Sequence, residues 1–213
     1  MASSIAAAVA ATAMLAAPAA APQDARFTVY RDGSPIGTHR IQVERAGDET
    51  RVAVDIDLQV KLAFVTVYRY SHRNRETWRD GRLVAIDTRT DDNGTAEYVR
   101  GRATGDGFAV QSTAGSYTVP AGVLPTSYWR RITPDQTRLL DTQKGRLLDV
   151  QVRRAGVERL PGTDSATRYT VRGDLDLDLW YDTTDRLRRI AFDFKGSRFD
   201  YSEAGQRPSV AAR

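Results

Sequence analysis

Cysteine is absent from this chain of 213 residues, and histidine occurs only twice, as His39 and His72. Without cysteine the protein has no thiol nucleophile, no thiolate metal site, no disulfide and no site for lipid attachment. The shortage of histidine restricts general acid–base chemistry, because histidine is the side chain that most often transfers protons near neutral pH. Enzymes that depend on a cysteine nucleophile or on a metal held by thiolates are therefore excluded.

Motifs for catalysis and cofactor binding are also missing. No Gly-x-Ser-x-Gly sequence occurs, so neither histidine has a nucleophile-elbow serine to activate. A hydrolase that uses His72 or His39 stays open as the alternative function. A metal site would need both histidines to meet carboxylates such as Asp55 or Asp57. We expect no cofactor and no metal, and we expect His72 to be partly buried and hydrogen-bonded.

The N-terminal residues have the pattern of a secretory signal peptide. An uncharged apolar run over residues 5–15 precedes the small-residue cleavage pattern Ala17-Pro18-Ala19. The run is shorter than the roughly 20 residues that a membrane-spanning helix needs, and no later segment is a candidate. We expect a signal peptide over residues 1–19, a single β-rich domain over residues 20–203 and a disordered tail over residues 204–213. The mature protein would be periplasmic or secreted, without a lipid anchor.

The charge balance says little about partners. Lysine and arginine total 31 against 27 aspartate and glutamate residues, which leaves a formal net charge of +4. A surplus this small is a weak indication of an anionic partner, and no nucleic-acid-binding motif occurs. We expect a monomer that does not bind nucleic acid. Its candidate partners are a lipid or hydrophobic small molecule, an envelope protein, or an anionic membrane surface.

Apolar and polar residues alternate through most of the chain. In residues 52–64 every even position is apolar, and most odd positions are charged or polar. Turn sequences such as Asp80-Gly81 and Asp92-Asn93-Gly94 separate such segments at short intervals. The pattern predicts a mainly β protein with a single strongly curved antiparallel sheet, forming a half-barrel or open barrel, with one or two short helices.

The short helices are expected within residues 120–135. Pro125-Thr126-Ser127 and Thr133-Pro134-Asp135 each carry a residue suited to a helix N-cap, and the second has proline at the first helical position. These helices would cover one end or one face of the sheet.

The register of two hairpins can be counted from their turns. The Asp80-Gly81 turn sets Trp78 opposite Leu83. A four-residue loop after Tyr181 would likewise set Trp180 opposite Leu187. The sequence thus predicts the same tryptophan–leucine pair in two hairpins about a hundred residues apart.

The stretch around the second hairpin carries an aspartate ladder. Asp174, Asp176 and Asp178 alternate with leucines, so the carboxylates share one face of a strand. We expect a solvated face with Asp178 opposite Arg189, because a calcium loop needs a tight turn around a central glycine. A change of phase at Gly196 predicts a β-bulge there.

Alternation fails in residues 62–67, where both faces become apolar. An unbroken strand from Val52 to Trp78 would measure about 90 Å at about 3.3 Å per residue, so the chain must turn inside this segment. The segment is either buried on both sides or an apolar tip held out for a partner. Arginines follow it closely, as a tip that meets anionic lipid would need.

Three motifs carry a resemblance to a known group of proteins. They are Tyr30-Arg31-Asp32-Gly33 with Ile36-Gly37-Thr38-His39, then Glu76-x-Trp78-x-x-Gly81-x-Leu83, and last Leu179-Trp180-Tyr181-Asp182. With them the chain resembles an uncharacterised family of secreted proteobacterial proteins. Its strand pattern also resembles the half-barrel carriers that move lipoproteins and lipids across the bacterial envelope. The second resemblance implies a curved sheet around an apolar cavity, but no specific activity.

The function expected from this resemblance is a non-catalytic binding module for a hydrophobic or lipid-like ligand. The inner face of the sheet would form the cavity, and arginines near its mouth would meet an anionic head group. The same apolar residues can instead fill a solid core. The candidate ligand-binding residues are Leu58, Val60, Phe64, Tyr68, Arg69, His72, Arg73, Trp129 and Arg130.

Overall fold

The computed structural model describes residues 23–205, which form one sheet of fifteen strands and contain no helix. Numbered in chain order, the strands are β1 (Gln23–Arg31), β2 (Ser34–Ala46), β3 (Glu49–Leu62), β4 (Val65–Arg79), β5 (Arg82–Asp92), β6 (Thr95–Thr104), β7 (Gly107–Ser112), β8 (Gly115–Val119), β9 (Leu124–Pro125), β10 (Arg138–Leu140), β11 (Leu147–Leu160), β12 (Thr163–Gly173), β13 (Leu177–Asp182), β14 (Leu187–Phe194) and β15 (Ser197–Glu203). The expected leader lies outside the described residues, as does the expected tail except for residues 204 and 205. No helix in residues 23–205 could cross a membrane.

The sheet consists of two meanders joined by the first and last strands. Strands β1 to β8 follow one another on one side, strands β15 to β9 follow on the other, and β1 pairs with β15. All neighbours are antiparallel except β9 and β10, which pair in parallel. The sheet is not closed, because β8 and β9 are its free edges. The predicted mainly β fold with a single sheet is therefore confirmed.

The helices expected in residues 120–135 are absent, so that prediction was wrong. Residues 124–125 form the short strand β9, and the Thr126 amide donates to the Leu140 carbonyl at 3.0 Å. Tyr128 has a φ of 55°, which a right-handed helix excludes. A helix N-cap contributes only about 1 kcal/mol, and tertiary hydrogen bonds to the backbone of this segment outweigh it.

The same segment and a neighbouring loop cover the inner face of the sheet. The Tyr181 hydroxyl donates to the carbonyls of Tyr128 and Arg130. On the other side, the Tyr117 hydroxyl of β8 donates to the Gly145 carbonyl in the loop between β10 and β11. Strands from the two edges of the sheet are thus brought together by side chains rather than by strand pairing, which requires strong curvature.

The hydrophobic core lies on this inner face. The even residues of β3 supply Val52, Val54 and Leu58, and β13 supplies Leu177 and Leu179, as alternation predicts. The core cluster runs through nearly all strands and includes the fully buried Trp78 and Tyr181.

The two ends of the sheet carry different turns and side chains. One end, here called the hairpin end, carries the turns at residues 32–33, 63–64, 93–94 and 195–196. The opposite end, here called the tryptophan end, carries the turn at residues 80–81, with Trp78 and Trp129 packed edge to face at 5.2 Å between ring centroids.

The register of the Asp80-Gly81 hairpin is confirmed, and that of the second hairpin was wrong. Trp78 pairs with Leu83, but Trp180 pairs with Arg189 and Tyr181 pairs with Leu187 across a bulge. The bulge adds a residue that counting from the turn does not reveal. Trp180 also faces away from the core: it lies in a small outer cluster with Leu160, Ala166 and Ala191.

Two further expectations around this hairpin need correction. Asp178 pairs with Ala191 across the ladder and forms its ion pair with Arg172, at 2.8 Å, rather than with Arg189. The change of phase near Gly196 is a two-residue turn, not a bulge, because Phe194 pairs with Ser197. A two-residue turn pairs even with odd positions, so Phe192 and Phe199 share the inner face.

Candidate functional site

Apolar side chains at the hairpin end of the inner face are only partly buried. Leu58 pairs with Tyr70 and Val60 pairs with Tyr68 across β3 and β4, and the rings of Phe192 and Phe199 stack at 5.0 Å. Leu58 is buried and the others keep some exposure. Together with Ile36 they form what we call the mouth cluster: Ile36, Leu58, Val60, Tyr68, Tyr70, Phe192 and Phe199.

The polar groups of the mouth cluster are neutral. The Tyr68 hydroxyl donates to Asp92 at 2.7 Å, and the Tyr70 hydroxyl donates to Gln143 at 3.4 Å. Burial raises the pKa of both tyrosines, and Asp92 raises that of Tyr68 further. Arg31 lies opposite Phe199 in the ladder, with its Nε 2.9 Å from Ser197 Oγ and 3.8 Å from the Asp32 carboxylate, so the cation at this end has a carboxylate beside it.

Below the mouth, a row of inner-face residues contains both histidines. His39 and His72 flank Ile56 in one cross-strand row, and Phe27 and Thr90 extend that row on either side. Two strand spacings of about 4.8 Å separate the histidine backbones. The histidines therefore share a row without converging on a common point.

His72 is hydrogen-bonded, whereas His39 is not. The His72 Nδ1 lies 2.8 Å from Thr90 Oγ1, which confirms the expected hydrogen bond, but the ring is buried completely rather than partly. Both ring nitrogens of His39 are buried without a hydrogen-bond partner, and its ring packs between Phe27 and Tyr201. Burial lowers the pKa of His39 to about 3 and that of His72 to about 4, so both imidazoles are neutral at pH 7.

A buried carboxylate forms a hydrogen-bonded centre near the tryptophan end. Glu76 accepts hydrogen bonds from Asn74 at 2.7 Å, Trp78 at 2.8 Å and Trp129 at 3.0 Å, and also from the Ser127 side chain. Burial raises the pKa of Glu76, while these four donors oppose the rise. Since Ser127 and Trp129 lie about fifty residues from β4 in sequence, Glu76 attaches the segment after β9 to the sheet.

The predicted ligand-binding residues do not come together in one place. Leu58, Val60 and Tyr68 meet in the mouth cluster, with His72 in the row below. Phe64 lies at the tip of the β3–β4 hairpin. The other predicted residues lie outside the mouth: Arg69 and Arg73 are on the outer face, and Trp129 and Arg130 are at the tryptophan end.

The arginines placed near the mouth by the sequence have other roles. Arg73 forms an ion pair with Asp57 at 2.7 Å on the outer face. The Arg130 guanidinium lies 5.1 Å from the centroid of Trp78, a cation–π contact. A pocket beside it, lined by residues such as Ile132, has a volume of only about 10 Å³, which is room for about one water molecule and far below the roughly 300–1,000 Å³ of drug-sized ligand sites.

The residues needed for metal binding or hydrolysis do not come together. Asp55 and Asp57 lie on the outer face, opposite the histidines, and pair there with Arg75 and Arg73. Residues 23–205 contain no group of three or more histidine, aspartate or glutamate side chains that could hold a metal ion. His72 and Thr90 are both buried, and Asp92, two residues beyond Thr90 on the same face of β5, accepts from the Tyr68 hydroxyl instead of orienting the imidazole. The His72–Thr90 pair lacks the orienting group and water access of a hydrolytic site.

Sequence reasoning missed Glu76, the unpartnered His39 nitrogens, and the contribution of Ile36, Phe192 and Phe199. The signal for Glu76 was present, because in β4 the core-facing even positions 72, 74 and 76 are polar. Three polar residues at successive core-facing positions of one strand indicate a buried hydrogen-bonded network. Sequence reasoning did not place Phe192 and Phe199 together, because it interpreted the two-residue turn at Gly196 as a bulge.

Comparison with known proteins gives a family and a fold. The family model described as a domain of unknown function (DUF6134) matches residues 27–203, and no curated protein matches. A crystal structure titled a beta-barrel-like protein of domain of unknown function DUF1849, from Brucella abortus, is similar with a TM-score of 0.61 and 10% identity. The match covers 86% of this chain and 95% of that chain. Identity this low shows the fold alone.

Proposed function

The chain belongs to the DUF6134 family, a domain of unknown function, and on that premise we propose that it is a non-catalytic binding module for a hydrophobic or lipid-like ligand in the cell envelope. The observation that carries the proposal is the mouth cluster, where the inner face of the sheet ends in partly exposed apolar and aromatic side chains. Periplasmic or secreted location and a proteobacterial origin stay predictions from the sequence.

The chemistry of the mouth cluster suits an apolar ligand with a small polar group. Its tyrosines are neutral, and their hydroxyls are already engaged by Asp92 and Gln143. Arg31 at the same end can meet an anionic head group, in place of the arginines that the sequence suggested, because its ion pair with Asp32 is long, at 3.8 Å, and exposed. The unpartnered nitrogens of His39 lie one row beyond Leu58 and can accept or donate one hydrogen bond each once a ligand displaces the surrounding side chains.

The alternative, a hydrolase using His72 or His39, has less support. Both imidazoles are buried, and the Thr90 hydroxyl that bonds to His72 is buried as well, so the pair is closed to the water that hydrolysis needs. Ligand binding needs none of these groups and is therefore the function that we favour.

The test uses a matched pair of substitutions on β3. Val60 faces the mouth and its neighbour Gln59 faces outward. We expect the purified protein to bind the fluorescent hydrophobic probe 1-N-phenylnaphthylamine, and Val60→Trp to weaken binding at least about tenfold by filling the mouth. Gln59→Trp adds the same bulk outside and should leave the affinity unchanged.

Unfolding midpoints of both variants serve as controls for folding. Failure of the wild-type protein to bind the probe, or equal binding by wild type and a folded Val60→Trp variant, would show that the inner face is a solid core.

A further inference from the structure

The β3–β4 hairpin extends past the ladders that its two strands form with β2 and β5. The last ladder pairs with the neighbouring strands are Leu58 with Gly37 of β2 and Tyr70 with Asp92 of β5. Past these points the Arg69 carbonyl still accepts a hydrogen bond from the Asn93 amide at 2.8 Å, and the hairpin strands otherwise pair with each other, through Val60–Tyr68 and Leu62–Val65, until the turn at residues 63–64. At about 3.3 Å per residue the projection extends roughly 13–17 Å.

The tip of this projection is apolar and exposed. Phe64 is 101% exposed, Leu62 72%, Val65 65% and Val67 50%. These four account for most of the large hydrophobic side chains exposed to this degree in residues 23–205, where Val157 and Phe194 are the others. Soluble monomers seldom gather exposed apolar side chains at one point without an interaction.

The apolar side chains share the projection with unpaired cations. Residues 59–69 contain Lys61 and Arg69 and no acidic residue. Both cations are exposed, on the face opposite Val60 and Tyr68, and within residues 23–205 neither forms an ion pair. Further back along β4, by contrast, Arg73 and Arg75 are neutralised by Asp57 and Asp55.

We propose that this projecting hairpin, residues 59–69, docks the protein on an anionic lipid bilayer. Phe64, Leu62 and Val65 enter the boundary between head groups and acyl chains, which amphipathic elements penetrate by about 5–10 Å. Lys61 and Arg69, set back from the tip, remain among the lipid phosphates. The roughly 13–17 Å from the Leu58–Tyr70 pair to the turn exceeds this depth.

Charge favours a bilayer over a second copy of the chain. Two hairpins meeting tip to tip would bring Lys61 and Arg69 of each copy together without a compensating carboxylate in residues 59–69. An anionic membrane supplies the missing negative charge together with an apolar medium. The docked hairpin would also set the mouth cluster against the lipid, because Val60 and Tyr68 belong to both.

The docking proposal is independent of ligand binding in the mouth and is tested separately. Co-sedimentation with phosphatidylcholine vesicles that contain phosphatidylglycerol should show binding that falls as salt is added. Phe64→Asp should lower the partition coefficient at least about tenfold. Lys61→Glu combined with Arg69→Glu should remove the preference for anionic over pure phosphatidylcholine vesicles.

Phe194→Asp is the matched control, because Phe194 is the other exposed phenylalanine at the hairpin end, 56% exposed and beside Lys195. It should bind as the wild type does. Absence of wild-type binding at low salt, or equal losses in Phe64→Asp and Phe194→Asp, would overturn the proposal. So would a concentration-dependent dimer that Phe64→Asp abolishes. An unchanged unfolding midpoint for Phe64→Asp shows that a loss of binding does not arise from misfolding. Uptake of the hydrophobic probe by Phe64→Asp should match that of the wild type, because Phe64 lies outside the mouth cluster.

Discussion

Replacing Glu76 by leucine is expected to lower the free energy of unfolding by about 3–5 kcal/mol, as measured by chemical denaturation at neutral pH. The substitution removes the common acceptor of Asn74, Trp78 and Trp129, which would each keep a buried donor without a partner. An unsatisfied buried donor costs about 1–3 kcal/mol. Because the site can collapse and water can enter, the expected loss of stability is smaller than the sum of three such costs.

Glu76→Gln separates hydrogen bonding from side-chain volume. The carbonyl oxygen of the glutamine can accept hydrogen bonds from both indoles. Its amide can donate to Asn74 Oδ1 after the Asn74 amide group rotates by 180°, and this oxygen is buried without a partner in the wild type. The loss should therefore be within about 1 kcal/mol. Glu44, exposed on β2, provides the control, since Glu44→Leu should change stability by less than about half a kcal/mol.

A small effect of Glu76→Leu would show that Glu76 does not hold the segment after β9 on the sheet. Tryptophan fluorescence gives a local measurement in the same experiment, because Trp78 and Trp129 both lose their acceptor while Trp180 on the outer face donates to Glu158 and is unaffected.

The second large effect is a loss of stability in acid caused by His39. Burial lowers its pKa from 6.5 to about 3 in the folded protein, so folding is opposed once the unfolded chain binds a proton that the folded chain does not. The stability that depends on a neutral His39 is fully present above pH 6.5, the pKa in the unfolded chain. It is lost as the pH falls from 6.5 toward about 3, the pKa in the folded protein. Between neutral pH and about pH 4.5 the loss is about 2–3 kcal/mol for this one group.

His39→Phe isolates this contribution. Phenylalanine fits the aromatic contacts with Phe27 and Tyr201 and removes the two buried unpartnered nitrogens. We expect unfolding free energies of the two proteins to differ by about 2–3 kcal/mol more at pH 4.5 than at pH 7, with the variant more stable in acid. Carboxylates, including Glu76 with its opposite pH dependence, contribute equally to both proteins and cancel.

Parallel stability curves for wild type and His39→Phe over this range would contradict the prediction and place water or a ligand beside the imidazole. His72 has a lowered pKa of about 4 for the same main reason and should add a loss of similar size. A substitution of His72 would also break its hydrogen bond with Thr90, so His39 is the better position for the measurement.

The two predictions concern different parts of the inner face. Glu76 lies near the tryptophan end and fixes the covering segment, whereas His39 lies one row from the mouth cluster. Variants at Glu76 should therefore change stability without changing probe affinity per folded molecule. Variants at His39 can change both, because the imidazole is the nearest unpartnered polar group to the proposed ligand.

The amino-acid sequence by itself determined the features that depend on short stretches of chain. Alternation in residues 52–64 assigned the faces of β3, and the Asp80-Gly81 turn fixed Trp78 opposite Leu83. The failure of alternation in residues 62–67 located the turn that separates β3 from β4. Period-two geometry and the φ preferences of turn residues act over a few residues, so each of these features is encoded where it occurs.

Only the tertiary structure decided which distant groups meet. The segment at residues 120–135 has helix-capping residues, yet its backbone hydrogen bonds go to Leu140 and Tyr181, and no local signal describes those partners. The Trp180 register depended on a bulge, and the Glu76 centre joins residues 53 positions apart. Exposure of Phe64 was likewise undetermined, because an apolar run is compatible with burial or with exposure at a tip. The ladders of β3 with β2 and of β4 with β5 stop at Gly37 and Asp92, and this leaves the tip uncovered.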